Sequence, residues 1–360
     1  MVEMNILMIS TVNFGVNGIS KVILQYQKYI DSEKYKYDFI FPNSISSELK
    51  ESLFEKSSVY HVPNRIRNPL KYYKEIHKIM KDKHYDAVHV HGNSTTMALE
   101  LLAAKKAGIE KLISHGHNSF TKYPIIHKVF KPMFDSLYTT GLTCSNKAGE
   151  SLYGLDYIVI ENGIDIKAYR YDENIRKEYR ENIGYSRNHL VIGNIGRLSE
   201  QKNHEFLIDL MPSLLDYNDD FRLMIVGDGH LKNKLESKVR ELELQKHVIF
   251  LGERKDISNL LSAIDVMVMP SLYEGLPITL IEGQASGLSC IASTNITREA
   301  NVSGEVLYCN LNNPNEFIEA INYSLKNNSQ KDRVIMNEML MDSNYSIINS
   351  INKLQDIYQQ

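Results

Sequence analysis

Ala263 to Gly287 reads AIDVMVMPSLYEGLPITLIEGQASG. Its first seven residues suit a parallel strand buried on both faces, apolar and stopped by Pro270. Pro277 suits the first position of the helix that follows, because its missing N–H would be unpaired there anyway. Glu274 then lies in the strand-to-helix loop. Glu282 lies inside the helix, roughly 7–8 Å along the axis from Pro277 at ~1.5 Å per residue. Unpaired backbone N–H groups at the helix start fall between the two acids. One carboxylate for hydroxyls, donors for an anion and a second carboxylate for another pair of hydroxyls suit a sugar, a diphosphate and a ribose.

Outward from this stretch, strand and helix patterns alternate, which predicts parallel sheets covered by helices on both faces. First-half strands are expected at Asn5–Ser10, Tyr37–Phe41, Val59–Val62, Ala87–Val90, Lys111–His115, Gly141–Cys144 and Tyr157–Ile160. The second half restarts at Leu190–Ile195, then Arg222–Val226, Val248–Leu251, Val266–Met269, Ser289–Ala292 and Glu305–Tyr308. Helical stretches fall between them, among them Gly18–Ile30, Tyr72–Lys81, Ser94–Ala107, His204–Leu215 and Leu231–Glu243. Two such series predict two doubly wound α/β domains, residues 1–163 and 164–342, joined near Glu161–Asp165 (ENGID). A last helix at about 343–360 is expected to cross back to the first domain. Ligands of open α/β sheets bind beyond the carboxyl ends of the strands, so the cleft between the domains is the expected site.

The bulk numbers agree with a soluble two-domain protein: 360 residues, 43% hydrophobic and 24% charged. Cys144, Cys290 and Cys309 are widely spaced and form no disulfide framework, as in a reducing cytosol. The first residues lack a signal-peptide pattern, and no apolar run approaches the ~20 residues of a membrane span. Residues 1–163 hold 20 Lys and Arg against 16 Asp and Glu, whereas the remainder holds 21 against 28. Much of the basic excess lies in Arg65–Lys83 and in Lys122–Phe134, the latter mixing lysines with Tyr123, Ile125, Ile126, Phe130 and Phe134. These segments read either as a solvated helix face and a surface loop or as a dock for an anionic membrane. The net charge of −3 and the lack of a long basic stripe disfavour nucleic acid.

Other chemistry-bearing residues also fall at strand ends. In Ile192–Leu198 (IGNIGRL), Gly196 lets the chain turn, Arg197 offers a planar fork for phosphate oxygens and Lys202 adds a point charge. Such charge-assisted bonds are worth ~1.5–3 kcal/mol each and together can stabilise a leaving diphosphate. Val226–Gly229 (VGDG) reads at least as readily as a turn as it does a ligand loop. Arg254 after Val248–Leu251 either flanks a nucleobase or sits in a plain exposed loop. Gly15 and Gly18 in TVNFGVNGIS allow close backbone approach, but their spacing is not the dinucleotide fingerprint. His89 with His91, and His115 with His117, invite a metal reading. No neighbouring carboxylate or Cys completes a zinc spacing, and the chain has no Asp-x-Asp to hold a metal–diphosphate. No metal or other cofactor is expected, and His115 reads either as a polar group aimed into the cleft or as strand-end packing.

Glu274 and Glu282 with seven residues between them, Gly196-Arg197 with Lys202, and the linker Asn162-Gly163-Ile164-Asp165 resemble retaining glycosyltransferases of family 4. The resemblance runs over nearly the whole chain. It is most similar to the bacterial exopolysaccharide and capsule subgroup, where stretches like SHGHN and GRLSEQKNHEFLI occur together. It implies the GT-B fold and a metal-independent transfer with retention of configuration. The donor would be a nucleotide-sugar, UDP by family frequency, carrying a hexose or N-acetylhexosamine. The acceptor would be a lipid-diphosphate-linked saccharide at the inner membrane face, reached by a cytoplasmic, peripheral enzyme. By position, Arg197 and Lys202 would bind the diphosphate and Glu282 the ribose. Glu274, with the backbone at Gly275 and Leu276, would face the sugar, and His115 would lie near its reacting carbon. Gly15 and Gly18 match the first-domain glycine loop, although the usual Gly-Gly is replaced here by Asn17-Gly18. A sugar-nucleotide-binding protein that has lost its chemistry, and a sugar-nucleotide epimerase of the same fold, are the alternatives.

Overall fold

The computed structural model describes residues 3–15, 18–42, 45, 53, 57–118, 124–327 and 329–360. Asn17, Lys122 and Tyr123 lie outside the described residues. Contacts divide the chain into two units, Met1–Gly163 with Ile347–Gln360, and Ile164–Ser346.

The first unit is a parallel sheet of seven strands: β1 Met4–Ser10, β2 Tyr35–Phe41, β3 Val59–His61, β4 Ala87–Gly92, β5 Lys111–Gly116, β6 Thr140–Thr143 and β7 Ile158–Val159. Their order is β3-β2-β1-β4-β5-β6-β7, with the reversal between β1 and β4. Alternate residues of β1 enter different cores: Ile6 and Met8 join one cluster, Leu7 and Ile9 the other. Burial on both faces is why these strands read as continuous apolar runs rather than alternating ones. The first core is closed by the helix Gly18–Tyr29 and by the last helix, Ile347–Gln359, which buries Ile347, Ile351, Leu354 and Tyr358 along one stripe. That helix begins later than expected because Ser343–Ser346 turns first, and Ile164 pairs with Ser346. It also explains Gly163. A Cβ there would stand 2.7 Å from the Ile347 Cα, so only glycine lets the linker pass under the helix.

The second unit has six parallel strands: β8 Leu190–Ile195, β9 Phe221–Val226, β10 Val248–Phe250, β11 Val266–Met269, β12 Ser289–Ser293 and β13 Leu307–Cys309. Their order is β10-β9-β8-β11-β12-β13, which places the reversal between β8 and β11. Here too the faces alternate: Val266 and Val268 enter one core, Met267 and Met269 the other.

Two expectations change. Lys122–Phe134, read as a surface loop, contains the helix Pro124–Asp135 with Pro132 inside it. The interior proline, which forfeits one backbone bond, and a mostly exposed apolar face hid the pattern. Pro277 caps the helix Ile278–Ala285 instead of opening it, with extended backbone at ψ 94°, so Glu282 is the fifth helical residue.

Candidate active site

The loops leaving β8 and β11 meet at the reversal of the second sheet, where adjacent strands send their connections to opposite faces and open a crevice. After β8 the chain runs through Gly196, Arg197 and Leu198 into a single 3₁₀ turn, Glu200–Lys202, and then into the helix His204–Tyr217. Asn203 makes the junction in the left-handed region at φ 53°, a conformation its short amide tolerates, and its Nδ2 donates to the Pro270 carbonyl at 3.2 Å. Lys202 lies back across Gly196: a Cβ at that glycine would be 3.2 Å from the lysine Cδ and Cε. Its Nζ reaches Glu274 Oε1 at 2.6 Å, with the two side chains 18% and 9% exposed.

Glu274 is held by its loop as well as by its partner. Leu272 N donates to the Gln201 carbonyl at 2.8 Å, and Gln201 Nε2 donates to the Tyr273 carbonyl at 3.0 Å and to Glu274 Oε2 at 3.2 Å. Asn295 Nδ2 binds the Leu272 carbonyl, and Ser293 Oγ the Ser271 carbonyl. Three successive carbonyls are thus pinned, so the carboxylate is positioned before any ligand arrives. Beyond it, Gly275 is exposed and a Cβ there would meet nothing within 4 Å. Leu276 is half-buried against the core.

Glu282 is 5% exposed and accepts a 2.8 Å hydrogen bond from Tyr169 Oη, which the 3₁₀ turn Ile166–Tyr169 delivers just after the linker. Arg197 is exposed, and its guanidinium has no partner among the described residues. Arg254 forks onto Asp256 at 2.8 and 2.6 Å, so in this state it serves its own loop. Gly227 and Gly229 have structural reasons. Cβ atoms there would lie 2.1 Å from the Gly196 carbonyl oxygen and 2.3 Å from that of Leu198, and Gly227 has φ +137°. The GDG turn is therefore the floor on which the Gly196–Leu198 loop rests. His204 is fully enclosed beside Lys202. Burial first and that ammonium second push its imidazole down to about 4, so it stays neutral.

In the first unit, the loops beyond β1 and β4 flank the other reversal. Thr11 N and Oγ1 both bond the His91 carbonyl, at 2.9 and 3.0 Å. Gly15 N donates to Ser20 Oγ at 3.0 Å, and around both Gly15 and Gly18 a Cβ would meet nothing within 4 Å, so packing does not demand glycine there. The register His91↔His115 brings the two His-x-His pairs face to face. His89, His91 and His115 are fully buried, and ring nitrogens of the three lie within 4.8 Å of one another. The spacing alone did not reveal this cluster. Its rings stack, His89 on His91 at 4.2 Å and His115 on His117 at 4.3 Å between centroids. Nitrogens bond in pairs: His89 Nε2 with His115 Nδ1 at 3.2 Å, His91 Nδ1 with His117 Nε2 at 2.9 Å. Stacked rings aim their lone pairs along parallel planes rather than at one point, which suits hydrogen bonding better than chelation. Burial holds all four imidazoles well below their usual range, His117 at about 3.

The family described as "Glycosyl transferases group 1" matches residues 175–339. The putative glycosyltransferase EpsF of Bacillus subtilis is 31% identical over 318 residues, covering 83% of this chain and 83% of that protein. The chain belongs to the group 1 glycosyl transferases. This glycosyltransferase is also similar to the UDP-Gal:alpha-D-GlcNAc-diphosphoundecaprenol alpha-1,3-galactosyltransferase of Escherichia coli, 28% identical over 95% of this chain and 94% of that one. Among solved structures, Anabaena Alr3699/HepE in complex with UDP superposes with a TM-score of 0.79 at 16% identity, over 99% of this chain and 100% of that one. A glycosyltransferase from Rickettsia africae gives 0.81 at 19%, over 99% and 98%. At such identities the likeness is one of fold: two Rossmann-like units of the GT-B class, the arrangement the sequence resemblance implies.

Proposed function

We propose that this glycosyltransferase moves a hexose or N-acetylhexosamine from a UDP-sugar to a lipid-diphosphate-linked saccharide in polysaccharide synthesis, retaining the anomeric configuration without a metal ion. The observation that carries the reading is the Lys202–Glu274 pair at the reversal of the second sheet. It sets an ammonium for the diphosphate beside a carboxylate for sugar hydroxyls. Arg197, exposed and unpaired among the described residues, supplies a second cation for the same phosphates. Glu282 takes the ribose, and Gly275 and Leu276 bring backbone near the sugar. His115, itself fully buried, is the first-domain side chain assigned to the reacting carbon, a role that requires its Nε2 to open to the bound sugar. In the transfer, the bond from the anomeric carbon to the phosphate oxygen breaks and the acceptor hydroxyl bonds that carbon from the same face. Its proton passes to the departing phosphate. Lys202 and Arg197 offset the charge that grows there. UDP is favoured over other nucleotides because HepE binds UDP and UDP-glucose and the Escherichia coli relative uses UDP-Gal, and the lipid diphosphate because that relative acts on a diphosphoundecaprenol-linked sugar.

A thermal-shift panel of UDP-, GDP- and ADP-sugars, followed by NMR of the product linkage, tests the reading. A UDP-sugar is expected to raise the melting temperature most and to give an α-linked product from an α-linked donor. A β-linked product removes retention, loss of turnover in EDTA removes metal independence, and donor epimerisation without acceptor makes the protein an epimerase.

Peripheral contact with an anionic bilayer belongs to the same proposal. Ile66, Leu70, Ile125 and Val129 are strongly exposed. Their two segments rest on one short stretch: Arg65 bonds the Thr96 carbonyl and Glu100, while Thr95 Oγ1 bonds the His127 carbonyl at 2.6 Å. Exposed Arg67, Lys71, Lys74 and Lys128 surround them. Apolar side chains amid cations fit an acidic lipid surface, each cation adding about 1 kcal/mol near it. Co-sedimentation with phosphatidylglycerol vesicles is expected to exceed that with phosphatidylcholine vesicles. Equal recovery rejects the contact.

A further inference from the structure

The last helix places the Tyr358 hydroxyl against the histidine cluster. Tyr358 Oη lies 2.7 Å from His89 Nδ1, and His89 Nε2 lies 3.2 Å from His115 Nδ1. The His89 and His115 rings are within 4° of coplanar orientation, so each lone pair meets its donor in plane. All three side chains are fully buried. At the far end, His115 Nε2 is buried with no partner among the described residues. His91 and His117 stack alongside, and the Tyr26 ring lies 6.1 Å from His115 between centroids. These neighbours prevent the imidazole from turning over to exchange its two nitrogens.

We propose that Tyr358, acting through His89, is a positioning residue that locks His115 in the tautomer carrying its proton on Nε2. The proposal rests on the reading of His115 as the first-domain group facing the transferred sugar. Phenol is the better acid and imidazole the better base, so Tyr358 donates to His89 Nδ1. The Tyr37 hydroxyl, 3.4 Å from Tyr358 Oη, donates to the phenol oxygen in turn. His89, accepting at Nδ1, carries its proton on Nε2 and donates to His115 Nδ1. His115 is then a donor at Nε2, suited to a sugar hydroxyl or to an oxygen gaining negative charge. With the chain's polarity reversed, the same atom would be a lone pair, and the group would be a base. The single phenolic proton on the last helix decides between them.

Long-range ¹H–¹⁵N correlation spectra of histidine-labelled, ligand-free protein read each tautomer directly, without any activity. His89 and His115 are expected to be single Nε2–H species in the wild type, and Tyr358→Phe is expected to give His115 as a mixture. In turnover, Tyr358→Phe is expected to lower kcat by about tenfold or more, as a wrong tautomer does, with the donor KM little changed. An Nδ1–H His115 in the wild type overturns the proposal, and that spectrum decides even if the variant does not fold. A pure Nε2–H His115 persisting in a folded Tyr358→Phe overturns it as well, as does one equivalent of zinc retained through dialysis and ligated by these imidazoles. Correct tautomers in a protein that turns over no nucleotide-sugar would defeat the transferase reading and leave the relay standing.

Discussion

Lys202→Ala is expected to lower turnover at saturating donor by about 10²-fold or more, the size of the loss on removing one oxyanion donor. Two effects combine. The departing diphosphate loses a point charge that sits in a part-buried site, where charges are screened less than at the surface. Glu274, only 9% exposed, also loses the ammonium 2.6 Å away and keeps the Gln201 amide as a donor. An uncompensated, mostly enclosed carboxylate costs about 1–3 kcal/mol, so the melting temperature should fall too. The two effects separate by substitution. Lys202→Met keeps the aliphatic stem across Gly196 and removes only the charge. Combining Lys202→Ala with Glu274→Gln removes the orphaned carboxylate, so it is expected to restore the melting temperature and not the rate. Turnover unchanged at saturating donor would take Lys202 out of the chemistry.

The second large effect is acid lability of the first unit. His89, His91, His115 and His117 are enclosed and held neutral, their pKa values driven down first by burial and, for the first three, then by one another. The phenols facing them, Tyr26 and Tyr358, are pushed up by burial and offer no counter-charge at neutral pH. In the unfolded chain each imidazole takes a proton near pH 6.5, whereas the folded state refuses it. The unfolded state therefore binds more protons between these limits. Stability is complete above about pH 6.5 and is lost as pH falls towards the folded values. Each such histidine costs about 1.4 kcal/mol per pH unit below 6.5, so four cost roughly 5–6 kcal/mol for each unit, comparable with the whole stability of a domain. Hydrogen exchange followed from about pH 7.5 to about pH 5.5 is expected to show β4 and β5 losing protection before β8 and β11. The second unit encloses His204, at about 4, and should respond less steeply. Exchange rates in β4 that change no faster than those in β8 would refute the account.

Most strands were legible because burial on both faces writes an unbroken apolar word: Leu190–Ile195 and Val266–Met269 begin and end where their residues imply. Helices with a mostly exposed apolar face were not, and Pro124–Asp135 with its internal proline is the clear case. For the site, Lys202 and Glu274 were each readable from local chemistry. Their contact depends on β8 lying beside β11, a matter of strand order. Gln201, which ties the Glu274 loop, and Tyr169, which meets Glu282, carry no local mark because their partners are distant in sequence. The His-x-His pairs were visible singly; their hydrogen-bonded pairing needed the β4–β5 register. Nothing near Tyr358 announces a polar role, since its neighbours Leu354 and Ile357 are plain core residues.

The helix Ile347–Gln359 belongs to the first unit but follows the whole second unit in the chain. Residues 1–163 leave the ribosome with one flank of their sheet, the face of Ile6, Met8, Tyr37 and Phe39, covered only in part by the helix Gly18–Tyr29. The 164–346 unit, unbroken in the chain, can fold as it emerges. The first unit must therefore wait for a segment made after the second unit before that flank is closed.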